Sequence, residues 1–200
     1  MLPDSFLDWW FSPWTYSSTA GTSLPMASDL LGQRDGYRLW CAGVGVTFAL
    51  PARFDPAWQI AAITDREALL TTARLFGGLI AARRQDNNVL GQLGIADRKW
   101  CMGVALVQPL GEYASMLVSS HDTVEILGLT GLACRLEQSF PGMWPRLRLL
   151  LSLEQGHRVN TLLEMAPDRG TIGETSAQRS LRCWRLCRRR AEDFIDVRNT

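Results

Sequence analysis

The sequence predicts a mainly α-helical fold: a single irregular multi-helix domain with little or no sheet. Three observations predict it. Apolar residues recur at helical spacing in several segments. Those segments open on capping residues and close on Gly or Pro. Strict alternation of apolar and polar residues, the mark of half-buried strands, is scarce. The 200 residues suit one domain, or a domain with a tail, and a 46% hydrophobic content can bury a core without staples.

The chain begins with its densest aromatic stretch. FLDWWFSPWTY, residues 6–16, holds Phe6, Trp9, Trp10, Phe11, Trp14 and Tyr16, a third of the chain's 8 Trp, 7 Phe and 3 Tyr. Rings of that area need cover from the protein's own core, a partner or a membrane surface. Asp4 reads as the N-cap of a short helix over residues 4–12, which Pro13 ends. Residues 17–36 read as a polar loop with one helical turn at 28–31. Residues 37–50, YRLWCAGVGVTFAL, are apolar and carry Gly43 and Gly45, which leaves them open between a buried helix and a strand. Pro51 ends that run, and Pro56 sits in the following turn.

From Thr64 the elements are sharper. Thr64 or Asp65 caps a helix, with Glu67 placed as in a capping box. Leu69, Leu70, Ala73, Phe76, Leu79 and Ile80 follow at helical spacing, and Arg83 and Arg84 complement the dipole in the last turn. Asp86 caps a short helix through Leu93, which Gly94 ends. Asp97 starts another, carrying Trp100, Val104 and Val107 up to Pro109. Asp122 opens a helix through Gln138 that Phe140-Pro141 ends. Trp144-Pro145 begins the next, with Pro at the first helical position and leucines running on to Leu163. Residues 166–178 read as a linker, and a last helix runs from Ser176 or Ala177 to about Phe194. The domain so read spans residues 1–166; residues 167–200 add the linker and an Arg-rich helix, with packing on the same domain left open.

Charge and chemistry narrow the function classes. A net charge of +1 gives no global field for nucleic acid or an anionic membrane. Twenty Arg stand against one Lys, Lys99; high-GC codon usage accounts for that, and an Arg-rich interface is the functional alternative. Cys41, Cys101, Cys134, Cys183 and Cys187 are odd in number and set among apolar neighbours, as buried thiols are in a reducing compartment. The N-terminus lacks the pattern of a signal peptide, and no run of about 18 apolar residues offers a membrane span. A cytoplasmic protein is expected.

No catalytic or cofactor motif emerges. His121 lies thirteen positions from Cys134 on one predicted helix, too far for a Cys–His pair, and reads as a helix-start residue. Cys183 and Cys187 are one turn apart with no second pair or close His to complete a zinc site. Gly43-Val-Gly45 is too short for a dinucleotide fingerprint. No catalytic, cofactor-binding or metal residue is therefore assigned, and a non-enzymatic binding or scaffolding protein is expected. The remaining feature is RSLRCWRLCRRR, residues 179–190, with six Arg around Leu181, Trp184 and Leu186. It reads as a solvated helix face, a protein-binding helix, or a nucleic-acid or anionic-lipid site that Glu192, Asp193 and Asp196 would partly neutralise.

Three stretches in order resemble the SctK family of type III secretion systems, which includes the OrgA, MxiK and HrpD proteins. The first is Phe11-Ser-Pro13-Trp14-Thr-Tyr16, similar to an aromatic-x-Pro-x-x-Tyr pattern near the family's N-terminus. The second, residues 75–107, holds Gly77-Gly78-Leu79, Arg83-Arg84 and LGQLGIADRKW, with Ala96 where the family commonly has Pro. The third is LEQSFPGMWPRLRLLL, a Phe-Pro helix end and an aromatic-Pro restart. The likeness covers roughly half the chain; residues 17–62 and the C-terminal helix have no counterpart in it. It implies a largely helical adaptor of the sorting platform that supports effector export and virulence in bacteria. Such an adaptor bridges the cytoplasmic domain of an inner-membrane ring protein to the pod protein, at the cytoplasmic face of that membrane, without a cofactor or small-molecule substrate. Candidate protein-binding anchors are Trp9, Trp10, Trp14, Arg182, Trp184 and Arg185, the residue types that dominate interfaces; core packing is the competing reading for the N-terminal tryptophans. The alternative function is a nucleic-acid-binding regulator using the C-terminal helix. A third hypothesis, an enzyme working through Cys41 or Cys134, has the least support in the residues.

Overall fold

In a computed structural model, residues 1–17, 30–108, 110, 122–165 and 174–198 are described. Among them helices are the regular structure and no strand occurs, as the sequence predicts. Nine α-helices follow one another: α1 Asp4–Phe11, α2 Leu30–Val44, α3 Arg66–Arg84, α4 Asn87–Leu90, α5 Ile95–Val107, α6 Val124–Ser139, α7 Met143–Leu147, α8 Leu153–Met165 and α9 Glu174–Arg198. Short 3₁₀ turns stand at Pro13–Thr15, Pro56–Ala61 and Arg148–Leu150. The chain divides into two compact units, Met1–Asp65 with Leu136–Ser152, and Arg66–Arg135 with Leu153–Thr200. The boundary does not fall between residues 166 and 167. The Arg-rich α9 belongs to the second unit, packed along α3.

In the first unit, the cap of α1 lies one residue earlier than predicted. Pro3 is the N-cap, and Asp4 lies in the first turn, where its carboxylate faces the positive end of the helix dipole. Of residues 37–50, those from 37 to 44 are helix, continuous with residues 30–36 that the sequence reads as loop, and residues 45–50 are not helical. α2 runs to Val44 and closes on Gly45, whose φ of 71° a side chain disfavours. Val46 N–H donates to Cys41 O at 2.9 Å and Gly45 N–H to Ala42 O at 3.4 Å, the bond pair of a Schellman end. Its apolar contact is also present, because Cys41 and Val46 share a buried cluster with Trp40 and Leu149. Of the two glycines that blurred the periodicity in the sequence, Gly45 is therefore the helix stop and Gly43 lies within the helix. Pro145 is the third residue of α7 rather than its first; the first-turn N–H groups have no intrahelical acceptor, so proline is tolerated there too. The leucine run 147–163 is not one helix: the 3₁₀ turn ends at an extended Leu151, and α8 starts afresh at Leu153.

The second unit is built on α3, against which α9, α5 and α4 pack. Seven consecutive residues of α3, from Leu75 to Ala81, are buried, so the helix is covered on every side. Gln85 ends it in the left-handed region at φ 59°, with Asp86 N–H donating to Ala81 O and Gln85 N–H to Ala82 O. Asp86 caps α4 as predicted, its carboxylate accepting from Asn88 N–H and Val89 N–H at 3.1 Å each. Gly94, not Asp97, is the N-cap of α5, and Asp97 sits in the first turn. The start of α6, by contrast, lies later than predicted. Thr123 Oγ1 accepts from Ile126 N–H, and Gln92 reaches across to accept from Val124 N–H at 2.8 Å. Asp122 is left to a two-pronged ion pair with Arg158, both bonds 2.6 Å. His121 and most of the 166–178 linker fall outside the described residues.

Candidate functional site

The N-terminal aromatics form core. In the first unit Trp9 and Trp10 are 5% and 0% exposed. The Trp9 indole N–H donates to Ile63 O at 2.9 Å, and Tyr16 stacks on the Trp9 ring with centroids 5.4 Å apart while its hydroxyl donates to Trp9 O. Trp10 meets Phe6 and Phe140. Trp14, partly covered, stands edge-on to Tyr37 and Trp40.

At the centre of these rings lies a residue that sequence reasoning passed over. Arg146 of α7 is fully buried. Its guanidinium sits 3.6 Å over the Trp10 ring, and its three nitrogens donate to Trp10 O, Gly142 O and Thr47 O. The Trp10 carbonyl is one of the last in α1, so the cation caps the negative end of that helix. Burial still lowers the Arg146 pKa, while neighbouring Tyr37 and Tyr16 raise it in part. Burial also pushes the Tyr37 hydroxyl up to about 12, with a smaller contribution from its bond to Cys41. Three carbonyls and a ring face fill the guanidinium's surroundings, so this is a structural cation rather than a binding site.

The thiols are also withdrawn. Cys41, Cys101, Cys183 and Cys187 are buried, and Cys134 is partly exposed. Burial raises the pKa of Cys41 and Cys187, and takes Cys101 to about 12 and Cys183 to about 11. A nucleophilic thiol needs the opposite, a lowered pKa and access. Among the described residues no group of three or more His, Cys, Asp or Glu is placed to hold a metal ion. A pH dependence follows. Folded Cys183 and Cys101 keep their protons at a pH where unfolded thiols, at 9.0, lose theirs. Their contribution to stability is whole below pH 9.0 and drains away toward about 11 and 12. Urea midpoints measured across that range should fall with rising pH, and Cys183→Ala should flatten the first part of the fall.

The second unit carries the exposed candidates. Arg182 and Arg185 face outward on α9, while Trp184 points inward at 0% exposure, edge-on to Phe76. Of the six candidate anchors, Trp9, Trp10 and Trp184 are thus core residues. Their rings bury too much area to be left at a surface. Arg179 and Arg189 join Arg182 and Arg185 on the exposed face; among the described residues none of the four makes an ion pair or hydrogen bond. Arg190 instead turns toward α5, bonding Asp97 at 3.2 Å and lying over Trp100. Arg188 pairs with Glu192.

The outer face of α5 was also missed. Cys101 and Ala105 are its buried residues, whereas Ile95, Met102, Leu106 and Val107 are 78%, 49%, 85% and 74% exposed. The signal was legible: α5 is apolar on more than one face, and one core cannot cover both. No helix among the described residues is long and apolar enough to cross a membrane. No protein-family model matches the chain, and no curated protein or solved structure matches it either.

Proposed function

We propose that this chain is a non-enzymatic adaptor of a type III secretion sorting platform, working at the cytoplasmic face of the bacterial inner membrane. It bridges the ring protein's cytoplasmic domain and the pod protein, and so supports effector export. The observation that carries the reading is the placement of chemistry-bearing side chains. Four of the five thiols and the buried Arg146 are withdrawn into the core, while arginines on α9 and large apolar side chains on α5 face outward. That arrangement favours contact over catalysis. The three resemblance stretches and a mainly helical build among the described residues are consistent with the family named above. Copurification tests the reading: the intact protein, mixed with each of the two partners, is expected to retain both. If it retains neither, the adaptor role is wrong.

One observation favours a second reading. Four arginines on one face of a helix, none paired among the described residues, are also what a nucleic-acid phosphate backbone meets. That reading requires DNA or RNA binding that falls steeply with salt, and no binding at low ionic strength removes it.

A further inference from the structure

α9 lies antiparallel beside α5. The Cys183 thiol reaches Gln108 O near the end of α5, and Arg190 reaches Asp97 near its beginning. Their exposed faces therefore flank one trough. A 100° step per residue places Ala96, Gly103 and Val107 on the α5 side nearest α9, all exposed. Ile95, Met102 and Leu106 continue outward from them, and Lys99 is the one charge on that exposed face. The same step places Leu186, 40% exposed, on the α9 side nearest α5, level with Gly103. Arg179 stands on that same side, and beyond Leu186 run Arg182, Arg185 and Arg189, spaced by three and four residues so that they form one row. The exposed carboxylates at the far end of the row are Glu192, held by Arg188, and Asp193.

The trough is two-toned: apolar along α5 and Leu186, cationic along the far edge of α9. The apolar stripe runs for about 15 Å and the arginine row for about 10 Å at the helical rise per residue. We infer that this face binds an acidic amphipathic helix of a partner protein, its leucine-like side chains on α5 and its Glu or Asp edge on the arginine row. Charge complementarity chooses this occupant. A second copy of the chain would bring its own arginines against this row, and a like-charge meeting is unfavourable. A phosphate backbone would leave the apolar stripe unused, and a lipid surface would need the cations spread around the apolar face rather than along one edge. The inference deepens the adaptor reading and rests on it for the partner being a protein, but its test uses neither platform component.

The probe is a fluorescein-labelled synthetic three-turn helix with Leu at i, i+3, i+4 and i+7 and Glu along one flank. Fluorescence anisotropy with the full chain at low ionic strength should show saturable binding, and the same peptide with Lys in place of Glu should not bind. Arg182→Glu with Arg185→Glu, and separately Met102→Ser with Leu106→Ser, should each weaken binding about tenfold or more. These positions are exposed, so circular dichroism and melting of the variants should match the parent. The inference is overturned if the Glu peptide does not bind, or if it binds both double variants as well as the parent. It is also overturned if vesicles of equal parts phosphatidylcholine and phosphatidylglycerol, or a short RNA, compete the peptide away through the same arginines. Sedimentation showing a dimer that the double variants dissolve would hand the face to a second copy. Failure of the platform copurification with success here removes the platform identity alone.

Discussion

Gly128→Ala is expected to destabilise the second unit by about 3 kcal/mol or more, at the upper end of what overpacking costs. Gly128 of α6 crosses α3 where both helices are bare of side chains. A Cβ at Gly128 would fall on Ala73 O and lie 2.8 Å from Gly77 N; one at Gly77 would fall on Val124 O and lie 2.9 Å from Gly128 N. The obstructing atoms are backbone on both sides, so no rotamer change can relieve the clash and the helices have to separate. Helix propensity alone would predict the reverse, since Ala gains about 1 kcal/mol over Gly inside a helix. The sign of the effect therefore isolates the crossing. Gly103→Ala on α5 is the control: nothing lies within 4 Å of its would-be Cβ, so it should gain stability. Urea denaturation followed by helical circular dichroism gives both values. A Gly128→Ala midpoint at or above the parent's would mean that α3 and α6 do not approach this closely.

The contrast between these glycines marks what a sequence can and cannot convey. Gly103 and Gly128 look alike in the chain, each inside an apolar helical pattern. Their opposite consequences depend on what lies across the helix face, and that partner can be 51 residues away, as Gly77 is from Gly128. Local signals were legible because their physics is local. The Asp86 cap and the 3.6-residue recurrence through α3 both act within a turn or two. The helix ending at Gly45 was half legible: the glycine was visible, but whether it interrupts a strand or stops a helix depends on its positive φ. The break at Leu151 was hidden, because unbroken leucines satisfy a continuous helix and a kinked pair equally.

Of the candidate surface, the arginine row could be read from spacing. Its apolar neighbour on α5 was not singled out, since periodicity reports which residues share a face and not what covers that face. Arg146 was the least legible residue. Among twenty arginines nothing local distinguishes the one that is buried.

Arg146→Ala is expected to cost the first unit about 3–5 kcal/mol, the range for removing a large buried side chain together with its hydrogen bonds. The substitution opens a cavity between Trp10 and α7. It also strips donors from Trp10 O, Gly142 O and Thr47 O, bonded at 3.1, 3.1 and 2.6 Å. Arg146→Met separates the two contributions. Methionine fills most of the space but donates nothing, so the loss should shrink to about 2–3 kcal/mol, the cost of orphaned buried carbonyls. Arg146→Lys keeps the charge and loses the planar fork; an ammonium on a flexible stem cannot span three carbonyls while lying flat on an indole. Lysine should therefore fail to restore the parent stability, although it is the conservative replacement. The three variants form an order, with Ala below Met and Lys, and all below the parent, in urea midpoints read by tryptophan fluorescence. Trp10 emission should change even in native Met and Lys variants, because its ring loses the guanidinium 3.6 Å above it. A Met variant as stable as the parent would show that the carbonyls find other donors, and that burying this cation costs the fold as much as its bonds return.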